Sequence, residues 1–261
     1  MSGLIDLKNI SVWGVDTHAR AASLRQWFIR RQSLRSVRIP ILQDVTFNAK
    51  SGDRIAVIGQ NGCGKSSLLK VISGNYPIHA GTRKVEGSVV PLIEMGAGFE
   101  PEMSGRYNIK LSYAYRGKLR NYSKAMEEKV IEFSELGDKI DLPLKTYSSG
   151  MTARLAFASS IFQDPDILLL DEIFATGDAG FIEKSQAILT KKVDNVSIAI
   201  MVNHAPNEFT DLCNRFILMQ NGRIINEGSR KEILHQYYTD ILHIPDYNVM
   251  LEKSMAKKAL A

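Results

Sequence analysis

The chain has 261 residues, 44% hydrophobic and 23% charged, a balance that fits one large α/β domain with a modest subdomain and excludes two independent large domains. No apolar run approaches the roughly 20 residues of a membrane-spanning helix, residues 1–6 lack the features of a secretory signal, and Cys63 and Cys213 have no CxxC spacing, which argues against a disulfide scaffold or zinc site and for a reducing compartment. The net charge of +5 sits in one stretch: residues 16–40 carry Arg20, Arg25, Arg30, Arg31, Arg35 and Arg38 against Asp16 alone, so it describes a local insertion rather than a nucleic-acid-binding face.

Residues 4–13 read as a strand, and 41–50 alternate again after the arginine stretch. Ser51-Gly52-Asp53 is a turn, and 54–58 is a short apolar run before glycines, the mark of a buried parallel strand. A helix is predicted over 66–73 and a strand over 82–93, followed by a charged helical stretch from about 100 to 163. Strand–helix alternation resumes with strands at 167–170 and 197–202 around a helix at 181–192. Strands at 215–219 and 223–227 flank the Asn221-Gly222 turn, and a helix over 232–242 precedes a tail, 244–261, without strong pattern.

Gly59-Gln60-Asn61-Gly62-Cys63-Gly64-Lys65-Ser66 fits the pattern GxxxxGK[ST], between a predicted strand and a predicted helix. Glycines let such a loop turn its N–H groups toward phosphate oxygens, and the helix N-terminus adds favourable partial charge. Lys65 is then the candidate for the β- and γ-phosphates and Ser66 for Mg²⁺, with Ser67 beside it. Cys63 reads as a small loop residue rather than a reactive thiol. Further on, the apolar strand Ile167-Leu168-Leu169-Leu170 ends in Asp171-Glu172. Asp171 is the candidate magnesium carboxylate and Glu172 the candidate to orient and polarise an attacking water.

Tyr147-Ser148-Ser149-Gly150-Met151 opens a predicted helix, 152–162, ahead of this acidic strand. Alone it is an ordinary helix cap. With the phosphate loop and acidic strand it resembles the signature segment of ABC-transporter ATPases. Ala175-Thr176-Gly177-Asp178 resembles that family's D-loop, and Val202-Asn203-His204 its switch histidine. The resemblance covers about residues 4–240. It is narrower still to ATPases of polysaccharide exporters, through Tyr147–Met151 with Arg154-Leu155-Ala156-Phe157, through 94–99 and 104–109, and through Gly177-Asp178-Ala179-Gly180-Phe181.

The resemblance implies an α/β phosphate-loop NTPase of ABC type, with an antiparallel β subdomain and an inserted helical subdomain. The expected divisions are 1–99 for the N-terminal part of the core with the insertion 16–40, 100–163 for the helical subdomain, 164–243 for the rest of the core, and 244–261 for the tail. It implies ATP and Mg²⁺ as ligands, His204 at the γ-phosphate and attacking water, and Ser148, Ser149 and Gly150 acting in trans across a homodimer, with Asp178 as the D-loop acid. Trp13 is the candidate for stacking on adenine; the alternative is packing within the strand's apolar face. Two departures from the wider family are Ser149 in place of glycine and Met151 in place of glutamine. A third is the missing Q-loop glutamine, whose nearest polar neighbour is Glu94.

The implied partners are two copies of an integral membrane permease and a lipid-pyrophosphate-linked polysaccharide as cargo, O-antigen before capsule or teichoic acid, at the cytoplasmic face of a bacterial inner membrane. Some relatives add a carbohydrate-binding domain; with the sequence ending at Ala261, recognition of a polymer terminus is not expected. A soluble ABC ATPase acting on ribosomes or DNA is the distant alternative, and an importer ATPase would be expected to keep the glutamine and a standard signature. Residues 22–37 place apolar side chains at 24, 27, 28, 34 and 37 with arginines mostly opposite. That pattern suits an anionic membrane surface or the lipid pyrophosphate, and equally a solvated helix; no aromatic array supports nucleic acid.

Overall fold

The computed structural model describes residues 3–15, 38–92, 96–171, 179–202 and 210–244. The strands are β1 (Leu4–Val15), β2 (Arg38–Lys50), β3 (Arg54–Ile58), β4 (Ala80–Glu86), β5 (Val89–Leu92), β6 (Ile167–Asp171), β7 (Ile198–Val202), β8 (Arg215–Gln220) and β9 (Arg223–Gly228). The α-helices are α1 (Lys65–Ser73), α2 (Gly105–Tyr115), α3 (Lys124–Ser134), α4 (Ser149–Ile161), α5 (Ala179–Asn195) and α6 (Arg230–Gln236), the last continued by a π-helical turn, Tyr237–Ile241. Two compact units result. One comprises Met1–Leu4, Lys50–Ala56 and Glu86–Asn214, the other Ile5–Ala49, Val57–Val85 and Arg215–Ala261.

In the first unit the strand order is β5-β6-β7-β3. β5, β6 and β7 are parallel, with Val89 opposite Ile167 and Ile167 opposite Ile198. Ile167 to Leu170 and all of β7 are buried, as strands covered on both faces must be. Asp166 sets the register of β5 against β6: its carboxylate accepts from the Ser88 N–H at 2.8 Å and hydroxyl at 2.9 Å, which holds it below the usual carboxylate range. The predicted strand 82–93 is two strands. Gly87, at φ 104°, turns the chain between them, and a Cβ there would stand 2.9 Å from the Asp166 side chain.

Three helices of this unit, α2, α3 and α4, start where a serine can cap them. Ser104, Ser123 and Ser148 accept from the N–H three residues on, filling a donor the helix leaves open. Their buried faces meet in one core with Ile109, Tyr113, Val130, Phe133, Leu155 and Phe157 at its centre. Arg106 ties the helices at the rim, pairing with Glu127 at 2.7 Å and Asp141 at 2.7 Å; these bonds hold the Asp141 carboxyl below its ordinary value.

In the second unit β2-β1-β4 form one sheet and β3-β8-β9 run side by side. β8 and β9 are antiparallel around Asn221 and Gly222, both at positive φ, as the hairpin turn demands. α6 opens with a full capping box, Ser229 and Glu232. Its predicted span, 232–242, shortens: the α-helix ends at Gln236 and residues 237–241 widen into the π turn.

Candidate active site

The loop 59–64 leaves β3 at Ile58 and enters α1 at Lys65. Its glycines answer different demands. Gly62 and Gly64 take φ of 78° and 108°, values L side chains avoid. Gly59 answers to space: a Cβ there would lie 2.4 Å from the Met219 carbonyl oxygen and 2.6 Å from Cys63 Sγ. Gly64 answers to both, since its Cβ would lie 2.9 Å from a Leu42 methyl. Beside Gly62 there is nothing within 4 Å, so the loop is backed by protein at both ends and open at its crest, where Gln60, Asn61 and Gly62 are exposed.

Distant segments fasten the loop. The Gly222 N–H donates to the Cys63 carbonyl at 2.9 Å, and the Gln60 side-chain amide donates to the Ile241 carbonyl at 3.2 Å. Neither contact has a local sequence signal. Burial pushes the Cys63 thiol up, against the pull of Lys65, which disfavours the nucleophilic thiolate.

Lys65 is 5% exposed. Its ammonium donates to the carbonyls of Gly59 at 2.7 Å and Gln60 at 3.0 Å, and no carboxylate pairs with it among the described residues. An ammonium held only by carbonyls is placed to donate to an anion in a short, charge-assisted bond. Ser66 and Ser67 follow on the first turn of α1, half-buried. At the far end of α1, Arg83 donates to the carbonyls of Val71 at 2.7 Å and Ile72 at 2.6 Å. The helix thus has a cation at its negative end and its positive end turned to the loop.

Asp171 closes β6. Its Oδ1 is buried and has no hydrogen-bond partner among the described residues, a costly state for a carboxylate oxygen. A carboxylate is a hard oxygen donor of the type Mg²⁺ takes, and the orphaned oxygen of Asp171 fits that use; the Ser66 hydroxyl in the other unit is a donor of the same type.

Ser148 caps α4 by accepting from the Met151 N–H at 3.3 Å. Ser148 and Ser149 are exposed and Gly150 is half-buried. A Cβ on Gly150 would find only Ser148 Oγ, at 4.0 Å, among the described residues, and none of these demands glycine there. Met151 packs against the apolar core, a role its usual glutamine would fill poorly.

Trp13 stacks on His79 with ring centroids 4.6 Å apart, and the Arg38 guanidinium lies 5.1 Å from its ring centre. An adenine on Trp13 would share the indole with those two groups. Glu94, Glu172, Asp178 and His204 lie outside the described residues, as does the arginine stretch up to residue 37.

Fold and loop together define a class, the phosphate-loop nucleotide-binding domains. More narrowly, the chain belongs to the ABC transporter family, whose model matches residues 42–175. It is 37% identical to the O-antigen export system ATP-binding protein RfbE of Yersinia enterocolitica, over 87% of this chain and 98% of that protein. It is 39% identical to RfbB of Klebsiella pneumoniae, another O-antigen export ATP-binding protein, over 79% of this chain and 84% of that one. To the teichoic acids export ATP-binding protein TagH of Lactococcus lactis it is 36% identical over 75% of this chain but 42% of that protein. Among solved structures, a dimeric ATP-binding cassette in a post-hydrolysis state bound to ADP and Pi superposes with a TM-score of 0.65, at 18% identity, over 86% of this chain and 98% of that one. The fold is that of an ABC ATPase domain. No helix among the described residues is long and apolar enough to cross a membrane.

Proposed function

We propose that this chain is the ATP-hydrolysing subunit of an ABC transporter that exports a lipid-linked polysaccharide, O-antigen in the first place. The observation that carries the reading is Lys65, buried, with no carboxylate beside it among the described residues and seated in a glycine loop, within a chain collinear with O-antigen export ATP-binding proteins. The likeness to TagH supports teichoic acid as the second cargo. Export requires a membrane permease, two copies of which would seat two copies of this chain peripherally on the cytoplasmic face of the membrane.

In this reading the N–H groups of 60–66 and the Lys65 ammonium hold the β- and γ-phosphates of ATP. Mg²⁺, when bound, neutralises charge on the phosphates and polarises the γ-phosphoryl group, and Ser66 and Asp171 are the residues that would hold it. Glu172 orients the attacking water and accepts its proton as the water oxygen bonds to the γ-phosphorus and the bridging P–O bond to the β-phosphate breaks, releasing ADP and phosphate; His204 steadies the same water and the γ-phosphate. Ser148, Ser149 and Gly150 complete the site of a second copy. The exposure of Ser148 and Ser149, and a glycine that no described residue of its own fold requires, support a role toward a molecule outside the chain.

The test is Glu172→Gln. ATP binding should persist while hydrolysis falls by roughly three orders of magnitude, in the range of a lost general base, and an ATP-bound dimer should accumulate in size-exclusion chromatography. Near-native turnover would remove Glu172 from this role.

A further inference from the structure

Glu135 ends α3 in a left-handed conformation, φ 57° and ψ 30°. Helices that stop this way normally place glycine or asparagine there, because a side chain is strained in that region. Retaining a long acidic side chain at such a position asks what the carboxylate does. It reaches two helices at once. Oε1 accepts from the Lys184 ammonium on α5 at 2.7 Å, and Oε2 faces the Arg154 guanidinium on α4 at 3.5 Å.

The same two cations lean on the aromatic core beneath. Lys184 lies 4.6 Å from the Phe133 ring centre and Arg154 lies 5.5 Å from that of Phe181. Phe133 of α3, Phe157 of α4 and Phe181 of α5 meet one another at 5.6 to 6.0 Å between centroids. Aromatic packing of this kind holds the three helices together. One carboxylate shared between a cation on each of two helices fixes their register. Arg154 lies in the second turn of the helix that Ser148 caps, and Lys184 in the second turn of the helix that begins directly after Asp178.

We infer that Glu135 is a positioning residue. It locks the second turns of α4 and α5 together, so that the signature segment that opens α4 is held in fixed register on α5 when it meets the partner's nucleotide. The inference rests on the reading of Ser148 to Gly150 as acting in trans. Glu135 itself touches no nucleotide in this scheme.

The deciding variant is Glu135→Gly. Glycine is the residue the backbone prefers at this φ, so a purely structural residue would be improved by the change or left unaffected. The expected result is a melting temperature equal to or above that of the native chain and an unchanged ATP dissociation constant. Against that background, kcat should fall about threefold to fivefold, as for the loss of two exposed ion pairs, and the Hill coefficient for ATP should move toward unity. A second variant, Lys184→Met, keeps the packing on Phe133. Combined with Glu135→Gly it should cost little beyond the glycine variant alone, because the bridge is already gone. Native kcat and cooperativity in Glu135→Gly, or fully additive losses in the double variant, would overturn the assignment. A native chain that hydrolyses no ATP would instead defeat the proposed function, and this inference with it.

Discussion

Two serine- and glycine-rich turns open helices in this molecule, and they are built in opposite ways. The loop 59–64 is crowded: Gly59 and Gly64 each lack room for a Cβ, and Cys63 and Gln60 are tethered to segments far along the chain. The turn Ser148-Ser149-Gly150 is exposed, and its glycine has open space beside it. The first turn owes its shape to its own fold. The second is left clear on the side where, in the proposed dimer, another subunit's nucleotide would lie. One substitution, glycine to alanine, therefore means different things in the two places.

The largest contrast should come from that pair of substitutions. Gly59→Ala drives a methyl into a backbone oxygen that cannot step aside, and should destabilise the fold by about 2–3 kcal/mol while abolishing ATP binding. Gly150→Ala should leave stability unchanged or raise it by about 0.5–1 kcal/mol, as in a helix, yet lower cooperative hydrolysis. Urea unfolding and nucleotide titration of both variants would break the comparison if their stabilities fell equally.

Lys65→Ala sharpens it from the side of charge. Losing a charged hydrogen-bond donor worth about 1.5–3 kcal/mol should weaken ATP binding roughly tenfold to a hundredfold, measured by calorimetry. Unchanged affinity would show that backbone donors suffice.

The smallest effect concerns neither turn and serves as a baseline. Asp166 titrates below its ordinary value of 3.8 because Ser88 donates to it. A folded value depressed below the unfolded one contributes stability that is present above the unfolded pKa and lost as pH falls through the folded one. Ser88→Ala should therefore cost a little stability at neutral pH and make the decline below about pH 4 shallower. Identical acid-unfolding curves for the two proteins would remove the Ser88 hydroxyl from the acid response and leave the depression to the backbone N–H of residue 88.

What the sequence made legible follows the range of the interactions. The strand, glycine loop and helix of 54–73 are local in sequence, and they form as expected. So do the Asn221-Gly222 hairpin and the serine-capped helix at Ser148. The break at Gly87-Ser88 was hidden because its determinant, Asp166, is remote in sequence. The end of α6 at Gln236 was hidden too, since nothing in Tyr237-Tyr238-Thr239 forbids a continuing α-helix. Of the candidate site, the loop, Asp171 and Ser148 can be placed, and Glu135 had no signal, being one acid among many until Arg154 and Lys184 fold onto it.

The Gln60 tie to Ile241 also has a consequence in time. Chains are made from the N-terminus at about 5–20 residues per second, so loop 59–64 leaves the ribosome well before the hairpin at Gly222 and the turn at Ile241 that brace it. A nascent chain therefore carries the motif before it carries the site. The frame of the loop is complete only once Ile241 has been made, and a chain cut short before residue 241 would keep every residue of the motif but lose part of that frame.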